Sequence, residues 1–166
     1  MKALVLTTLF LGLIAFSPAE SLKSAIISGN KTVHQAMRNR DSAALTKIFR
    51  ATCTKDFKYV ENGQTQNLDQ MIAGMKGGMD SMKKVTNADT KILSVTEKGS
   101  TGTSTSLHIL EGITVGPDKK EHKMGFSGTC VETYVKVNGK WKMSKMVWKS
   151  MKMTMDGKPM EGMGGG

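Results

Sequence analysis

Residue types that carry chemistry are scarce in this sequence. Its 166 residues include three histidines, two cysteines and two tyrosines. No glycine-rich phosphate loop is present, and no serine–histidine–acid or cysteine–histidine spacing stands out. Lysines occur singly or in pairs rather than in a basic run. These absences argue against phosphate-loop enzymes, recognisable hydrolases and nucleic-acid-binding proteins.

The two cysteines, Cys53 and Cys130, allow one disulfide at most. Both lie in segments with strand or strand-edge patterns, where buried free thiols are common. A disulfide needs Cα atoms within about 7 Å, which a sequence cannot show. A bridge and a pair of buried thiols therefore both stay open.

The first nineteen residues predict a cleaved signal peptide. Lys2 precedes an apolar stretch from Ala3 to Phe16, and Ser17-Pro18-Ala19 supplies small residues at the cleavage site. An uncleaved anchor is the alternative, but a bilayer span needs about 20 apolar residues. The residue directly after the cleavage site is Glu20 and not a cysteine, which argues against a lipid anchor. We expect a secreted or periplasmic protein without a stable membrane anchor.

One domain is expected over residues 20–160, with a flexible tail over 161–166. Removal of Lys2 lowers the net charge from +10 to +9. Outside the cytosol, this positive surplus favours anionic partners. The alternative is that the charges only keep the surface solvated and the protein soluble.

Helical periodicity dominates the first half of the chain. Residues 22–40 predict one helix, and Asp41 caps a second, over 42–50. A short hairpin turns at Asn62-Gly63. Asn67 then caps a third helix with an apolar, methionine-rich stripe, read as core. Glycines in this helix predict close packing or a bend.

Two-residue periodicity dominates the second half. Turn sequences separate four predicted strands: Thr90–Lys98, Gly102–Val115, His122–Val137 and Lys140–Met155. Strands joined by tight turns form an antiparallel meander. The sequence therefore predicts an α+β domain with the helices packed on one face of a curved sheet.

The order α-α-β-β-α-β-β-β-β resembles the cone-shaped fold of the nuclear transport factor 2-like superfamily. The SnoaL-like and ketosteroid-isomerase-like branches are the most similar. Three stretches carry the resemblance: Arg38-Asn39-Arg40-Asp41 between the helices, Lys55–Val60 running into Asn62-Gly63, and Val135–Met143, where a glycine turn precedes a tryptophan.

This resemblance implies a pocket between sheet and helices, and a possible homodimer through the sheet. We expect Phe57, Tyr59 and Trp148 to contact a small apolar or anionic molecule, or a partner, at this pocket or its rim, without a cofactor. The tyrosine–aspartic acid pair of ketosteroid isomerase cannot be carried over, because the first helix contains no tyrosine. The superfamily includes isomerases, cyclases, dehydratases and pure binding proteins, so the fold alone does not assign a reaction.

His108 is the candidate acid–base residue, and the catalytic residues are otherwise unassigned. It shares strand parity with Ser104 and Ser106, and this mostly polar set favours a solvated histidine over one that faces the pocket. In the pocket, near Glu132 or Asp56, it would serve as a general base. Titratable groups converging inside the cone would favour an enzyme, whereas an apolar lining would favour a binding protein.

The C-terminal methionines Met151, Met153 and Met155 share one parity, opposite in phase to Met146 and Trp148. This phase shift predicts a bulge near Lys149-Ser150. A buried apolar face is one interpretation, and a Cu(I) site made of thioethers is the alternative. Core packing is favoured, since methionine also fills the third helix.

Overall fold

The helices and strands follow one another in the predicted order α-α-β-β-α-β-β-β-β, with one further short strand at the end. A computed structural model describes residues 20–160; the predicted signal peptide and tail lie outside them. The helices are α1 (Leu22–Arg38), α2 (Ser42–Thr52) and α3 (Leu68–Ser81). The strands are β1 (Cys53–Glu61), β2 (Gln64–Gln66), β3 (Met82–Lys98), β4 (Thr101–Val115), β5 (Glu121–Val137), β6 (Lys140–Met155) and β7 (Lys158–Pro159). Among residues 20–160, no helix is both long and apolar enough to span a bilayer.

Local side-chain chemistry sets the helix boundaries. Asp41 accepts a hydrogen bond from the Ala44 amide (2.8 Å) at the start of α2. At the start of α3, Asn67 and Gln70 form the predicted capping box, with two reciprocal bonds of 3.0 Å. These bonds satisfy amide groups that a helix leaves without internal partners.

The methionine stripe of α3 belongs to the core, as predicted, whereas close packing, one of the two expectations for its glycines, was wrong. Met71 and Met79 are buried between the helix and the sheet. A Cβ atom added at Gly74, Gly77 or Gly78 would meet nothing within 4 Å. These glycines therefore face open space and do not mediate close packing.

The sheet has the order β2-β1-β6-β5-β4-β3, with β7 paired to β6. All pairs are antiparallel except β1 with β6. The predicted turns at Asn62-Gly63 and Asn138-Gly139 have positive φ at both positions, which this tight turn requires. Asp156-Gly157 forms a third such turn and adds the short β7, which was not predicted.

Bulges explain one wrong strand boundary, in β3, and one correct prediction, in β6. The prediction began the first long strand at Thr90, but β3 begins at Met82 and pairs with β4 along its whole length. Its pairing register shifts at three places, which hides the two-residue period. In β6, Lys149 is the extra residue between the pairs Ser150↔Thr129 and Trp148↔Cys130. The predicted bulge is confirmed.

The helices cover the face of the sheet that carries Gly102, Ser104, Ser106 and His108; we call this the inner face. A Cβ atom at Gly102 would collide with the Leu22 side chain of α1 and lie 2.7 Å from the Thr96 carbonyl oxygen. The residues of β5 that pair with these positions share the face. Polar residues of both strands therefore point toward the helices.

Candidate functional site

A buried carboxylate lies at the centre of the inner face. Glu132 of β5 is 3% exposed. Its Oε2 accepts hydrogen bonds from Ser104 Oγ (2.9 Å), Ser106 Oγ (3.3 Å) and the Tyr134 hydroxyl (3.0 Å). Strand pairing builds this arrangement, because Ser104 is directly opposite Glu132 and Tyr134 follows on the same face.

The protein keeps this carboxylate ionised. Burial is the largest effect and raises the pKa of Glu132, but hydrogen bonds and charge from His108, with the Ser104 and Tyr134 hydroxyls, outweigh it. The pKa therefore lies below its ordinary value. Donors aimed at one oxygen replace the water that the charged group loses on burial.

His108 lies beside this carboxylate and faces inward. Its Nε2 is 3.5 Å from Glu132 Oε1 and 3.2 Å from Cys130 Sγ. The ring packs edge-on against Trp148, with centroids 5.5 Å apart. Its side chain keeps 22% exposure. His108 thus faces inward and not toward solvent, the orientation that its polar strand parity favoured, and it lies beside Glu132. Asp56, the other acid considered, is exposed.

A hydrogen-bond chain leads from His108 to helix α1. Thr90 Oγ1 lies 3.0 Å from His108 Nδ1 and 2.9 Å from His34 Nε2. Burial lowers the pKa of His34, and Asp89 opposes this effect without cancelling it. His34 is therefore neutral at neutral pH, as a general base must be. Three elements, α1, β3 and β4, hold the chain in place.

His34 also lines a pocket between α1 and β3, here called the α1–β3 pocket. Its volume is about 250 Å³. The lining contains polar, charged and apolar side chains: Ile27, Asn30, Lys31, His34, Arg38, Asp89, Thr90 and Ile92. Thr90 thus lies both at the pocket wall and in the chain to His108. His108 itself is not part of this lining.

Comparison with known families identifies the domain. A family model described as a SnoaL-like domain matches residues 26–161. The chain belongs to the SnoaL-like family. No curated protein matches its sequence.

Solved structures confirm the cone-shaped fold of this SnoaL-like domain. Kfla4162 from Kribbella flavida has a TM-score of 0.61 at 13% identity, over 76% of this chain and 88% of that one. A provisionally named scytalone dehydratase from Novosphingobium aromaticivorans has 0.61 at 12%, over 80% and 85%. An NTF2-like protein from Cytophaga hutchinsonii has 0.55 at 13%, over 78% and 98%. At such low identity the likeness concerns the fold alone.

The three predicted ligand contacts of the SnoaL-like domain have different surroundings. Phe57 is 2% exposed and packs in the core with Met71 and Ile72, so it does not lie at the rim of a ligand pocket. Tyr59 is half-buried and donates a hydrogen bond to Glu61 Oε2 (2.7 Å). Trp148 is half-buried next to His108. Within residues 20–160, its buried indole nitrogen has no hydrogen-bond partner.

Met151, Met153 and Met155, here called the C-terminal methionine row, lie on the inner face. Met151 is 8% exposed, and the other two are half-buried. Their strand partners are Gly128, Phe126 and Met124. Apolar surroundings fit the favoured core interpretation, and copper binding stays an untested alternative.

Sequence reasoning missed most of the polar cluster. Ser104 and Ser106 were noted only for their parity. Cys130 is a buried free thiol, one of its two expected states, but the sequence did not place it next to His108. Burial and the neighbouring Glu132 raise the pKa of this thiol. The signal was the pair of alternating segments S-x-S-x-H (104–108) and C-x-E-x-Y (130–134) on consecutive strands.

Proposed function

We propose that this SnoaL-like domain is exported and binds a small organic anion in the α1–β3 pocket. The observation that carries the proposal is the pocket's mixed lining. Lys31 and Arg38 contribute two positive charges against one negative charge from Asp89, a local sum of +1. The net charge of the mature chain, +9 after removal of Lys2, attracts the same class of ligand from a distance.

An apolar portion of the ligand is supported as well. Ile27 is 53% exposed at the pocket, and Ile92 lines the opposite element. Ligand pockets combine apolar walls with a few polar groups that orient the ligand. A volume of about 250 Å³ suits a compact carboxylic acid better than a drug-sized molecule, for which pockets measure roughly 300–1,000 Å³.

Native mass spectrometry of the protein purified from its producing cells tests both parts of the proposal. We expect a mature mass that begins at Glu20 and a retained organic acid. A chain that keeps residues 1–19 in the cytosol contradicts export, whatever the ligand. A retained cationic or uncharged molecule contradicts the anion assignment.

Arg38→Gln locates the binding site. Hydrogen bonds to charged groups contribute roughly 1.5–3 kcal/mol, and 1.4 kcal/mol corresponds to tenfold in affinity. We expect binding of a benzoate probe, measured by NMR titration in EDTA, to weaken at least tenfold. Arg50→Gln is the matched control, since Arg50 pairs with Asp69 at the surface. Equal effects of the two substitutions would rule out the α1–β3 pocket.

Proton transfer is the second candidate function. The convergence of His34, Thr90, His108 and Glu132 favours it over a purely apolar binding site. His34 lines the pocket and would act as the acid–base residue. Thr90 and His108 would act as positioning residues that orient its ring.

Deuterium exchange tests this candidate without a known substrate. Small keto acids incubated in D₂O should gain deuterium next to the carbonyl faster with the wild-type protein than in buffer. His34→Gln should abolish the gain, and Thr90→Val should reduce it while benzoate binding persists. Undiminished exchange with His34→Gln would remove His34 from the chemistry.

A further inference from the structure

Three potential metal ligands converge on the inner face. His108 Nε2, Cys130 Sγ and a carboxylate oxygen of Glu132 all lie within 4.8 Å of one another. The nitrogen is 3.2 Å from the sulfur and 3.5 Å from Glu132 Oε1. In a tetrahedral zinc site, bonds of about 2.0–2.3 Å place neighbouring ligand atoms roughly 3.3–3.6 Å apart. The two distances from His108 Nε2 match this spacing closely, and the distance from Cys130 Sγ to the carboxylate oxygen stays within 4.8 Å.

The surroundings hold each ligand in position. Thr90 Oγ1 is 3.0 Å from His108 Nδ1, so it can accept the N–H that a metal-binding imidazole presents on its other nitrogen. Ser104 and Tyr134 donate to Glu132 Oε2 and leave Oε1 facing His108. All three ligands lie on the paired strands β4 and β5, which are rigid supports.

The chemistry of the three ligands selects the ion. A thiolate and a carboxylate carry two negative charges, and a divalent cation neutralises both in a buried site. Mixed nitrogen, sulfur and oxygen ligands suit zinc, whereas Cu(I) favours soft sulfur ligands. Three protein ligands leave a fourth position for water or a substrate, as in catalytic zinc sites.

We propose that His108, Cys130 and Glu132 bind one zinc ion. Binding converts the Cys130 thiol to a thiolate and releases its proton to solvent. Cys130 is fully buried and His108 keeps 22% exposure, so the ion has to reach the site on the side of His108. This site is separate from the anion contacts at Lys31 and Arg38, and it does not rest on the proposed function.

Zinc also sets the direction of the hydrogen-bond chain. With Nε2 on the metal, His108 donates its Nδ1–H to Thr90, which then donates to His34 Nε2. Neutral His34 must then carry its proton on Nδ1. With zinc bound, His34 therefore presents an N–H donor to the α1–β3 pocket, and the base-catalysed exchange proposed for His34 belongs to the metal-free protein.

Cobalt(II) serves as the spectroscopic probe. Full-length protein stripped with EDTA and loaded with Co²⁺ should bind one ion per chain. We expect a thiolate charge-transfer band and the intense visible bands of tetrahedral cobalt, both displaced by Zn²⁺. Cys130→Ser should lose the charge-transfer band, and the matched control Cys53→Ser, which alters the other buried thiol, should keep it.

Thr90→Val supplies a graded test, because loss of such an orienting partner weakens metal binding about 10–100-fold. Absence of a thiolate band in the wild-type protein, or its persistence in Cys130→Ser, overturns the proposal. If Cys130→Ser fails to fold, X-ray absorption of the zinc-loaded wild-type protein decides. One sulfur ligand among nitrogen and oxygen ligands supports the site, and a spectrum without sulfur overturns it. Benzoate binding in EDTA is measured independently of all these outcomes.

Discussion

Replacing Glu132 by glutamine should destabilise the metal-free protein by about 2–3 kcal/mol at pH 7. Hydrogen bonds to charged groups contribute roughly 1.5–3 kcal/mol, against about 0.5–1.5 kcal/mol for neutral pairs. Glutamine keeps a carbonyl oxygen for the three hydroxyls but loses the charge. The bonds from Ser104 and Tyr134, at 2.9 and 3.0 Å, should each lose about 1 kcal/mol. The longer bond from Ser106, 3.3 Å, should lose less.

A double-mutant cycle with Tyr134→Phe separates the charge from simple packing. Tyr134→Phe should cost more in the wild-type protein than in Glu132→Gln, with a coupling of about 1 kcal/mol. Urea unfolding, followed by far-ultraviolet circular dichroism in EDTA, gives the four free energies. A cost of 2–3 kcal/mol corresponds to about 4–12 °C in melting temperature.

Glu111→Gln is the matched control, because Glu111 is exposed on the same strand pair. Its effect should stay within about 0.5 kcal/mol. Two results would refute the reasoning: wild-type stability for Glu132→Gln, or a coupling indistinguishable from zero. Either would mean that the hydroxyls do not stabilise an ionised carboxylate.

Three further predictions concern other parts of the fold. Gly77→Ala should raise the free energy of unfolding by about 1 kcal/mol, because the added Cβ meets open space. Gly139→Ala should lower the free energy of unfolding, because Gly139 has a φ of +76°. Urea titrations in which both variants shift stability in the same direction would contradict this. Hydrogen bonds to Asp156 and then Asp118 raise the pKa of His122. These two hydrogen bonds should stabilise the fold fully below the pKa of His122 in the unfolded chain, about 6.5. The stabilisation should be lost as pH rises through the pKa of His122 in the folded protein. NMR should show this titration in the signals of both carboxylates, and His122→Asn should abolish it. Replacing the C-terminal methionine row by leucine should cost less than about 1.5 kcal/mol per substitution and leave Cu(I) uptake unchanged; a drop in copper stoichiometry would instead make the row a metal site.

Alternation in the sequence predicted which residues share a face, but not which face points inward. Leu107 and Ile109 alternate with Ser106 and His108, and the apolar set is the usual candidate for the core side. The structure places the polar set under the helices, where Ser106 is fully buried. Hydrophobicity does not predict the inner face here, because a cluster of mutually hydrogen-bonded side chains satisfies its own polar groups when it is buried.

Local signals were read correctly where one short segment determines the conformation. The cap at Asn67, the turn at Asn138-Gly139 and the bulge at Lys149 each depend on a few adjacent residues. The contact between His108 and Cys130 depends instead on the register of two strands, because Gly128 and not Cys130 lies opposite His108. Their separation of 22 residues along the chain carries no such information.

The alternation of β4 and β5 also bears on how such a domain can change during evolution. Glu132 and its hydroxyl donors occupy every second position of one hairpin, and the residues between them face the other way. Substitutions on the inward positions can therefore alter reactivity while those on the outward positions alter solubility or association. Mutations in this one hairpin can thus change reactivity and surface properties independently. Such a domain can acquire a new reaction while its solubility and its association with other molecules stay unchanged.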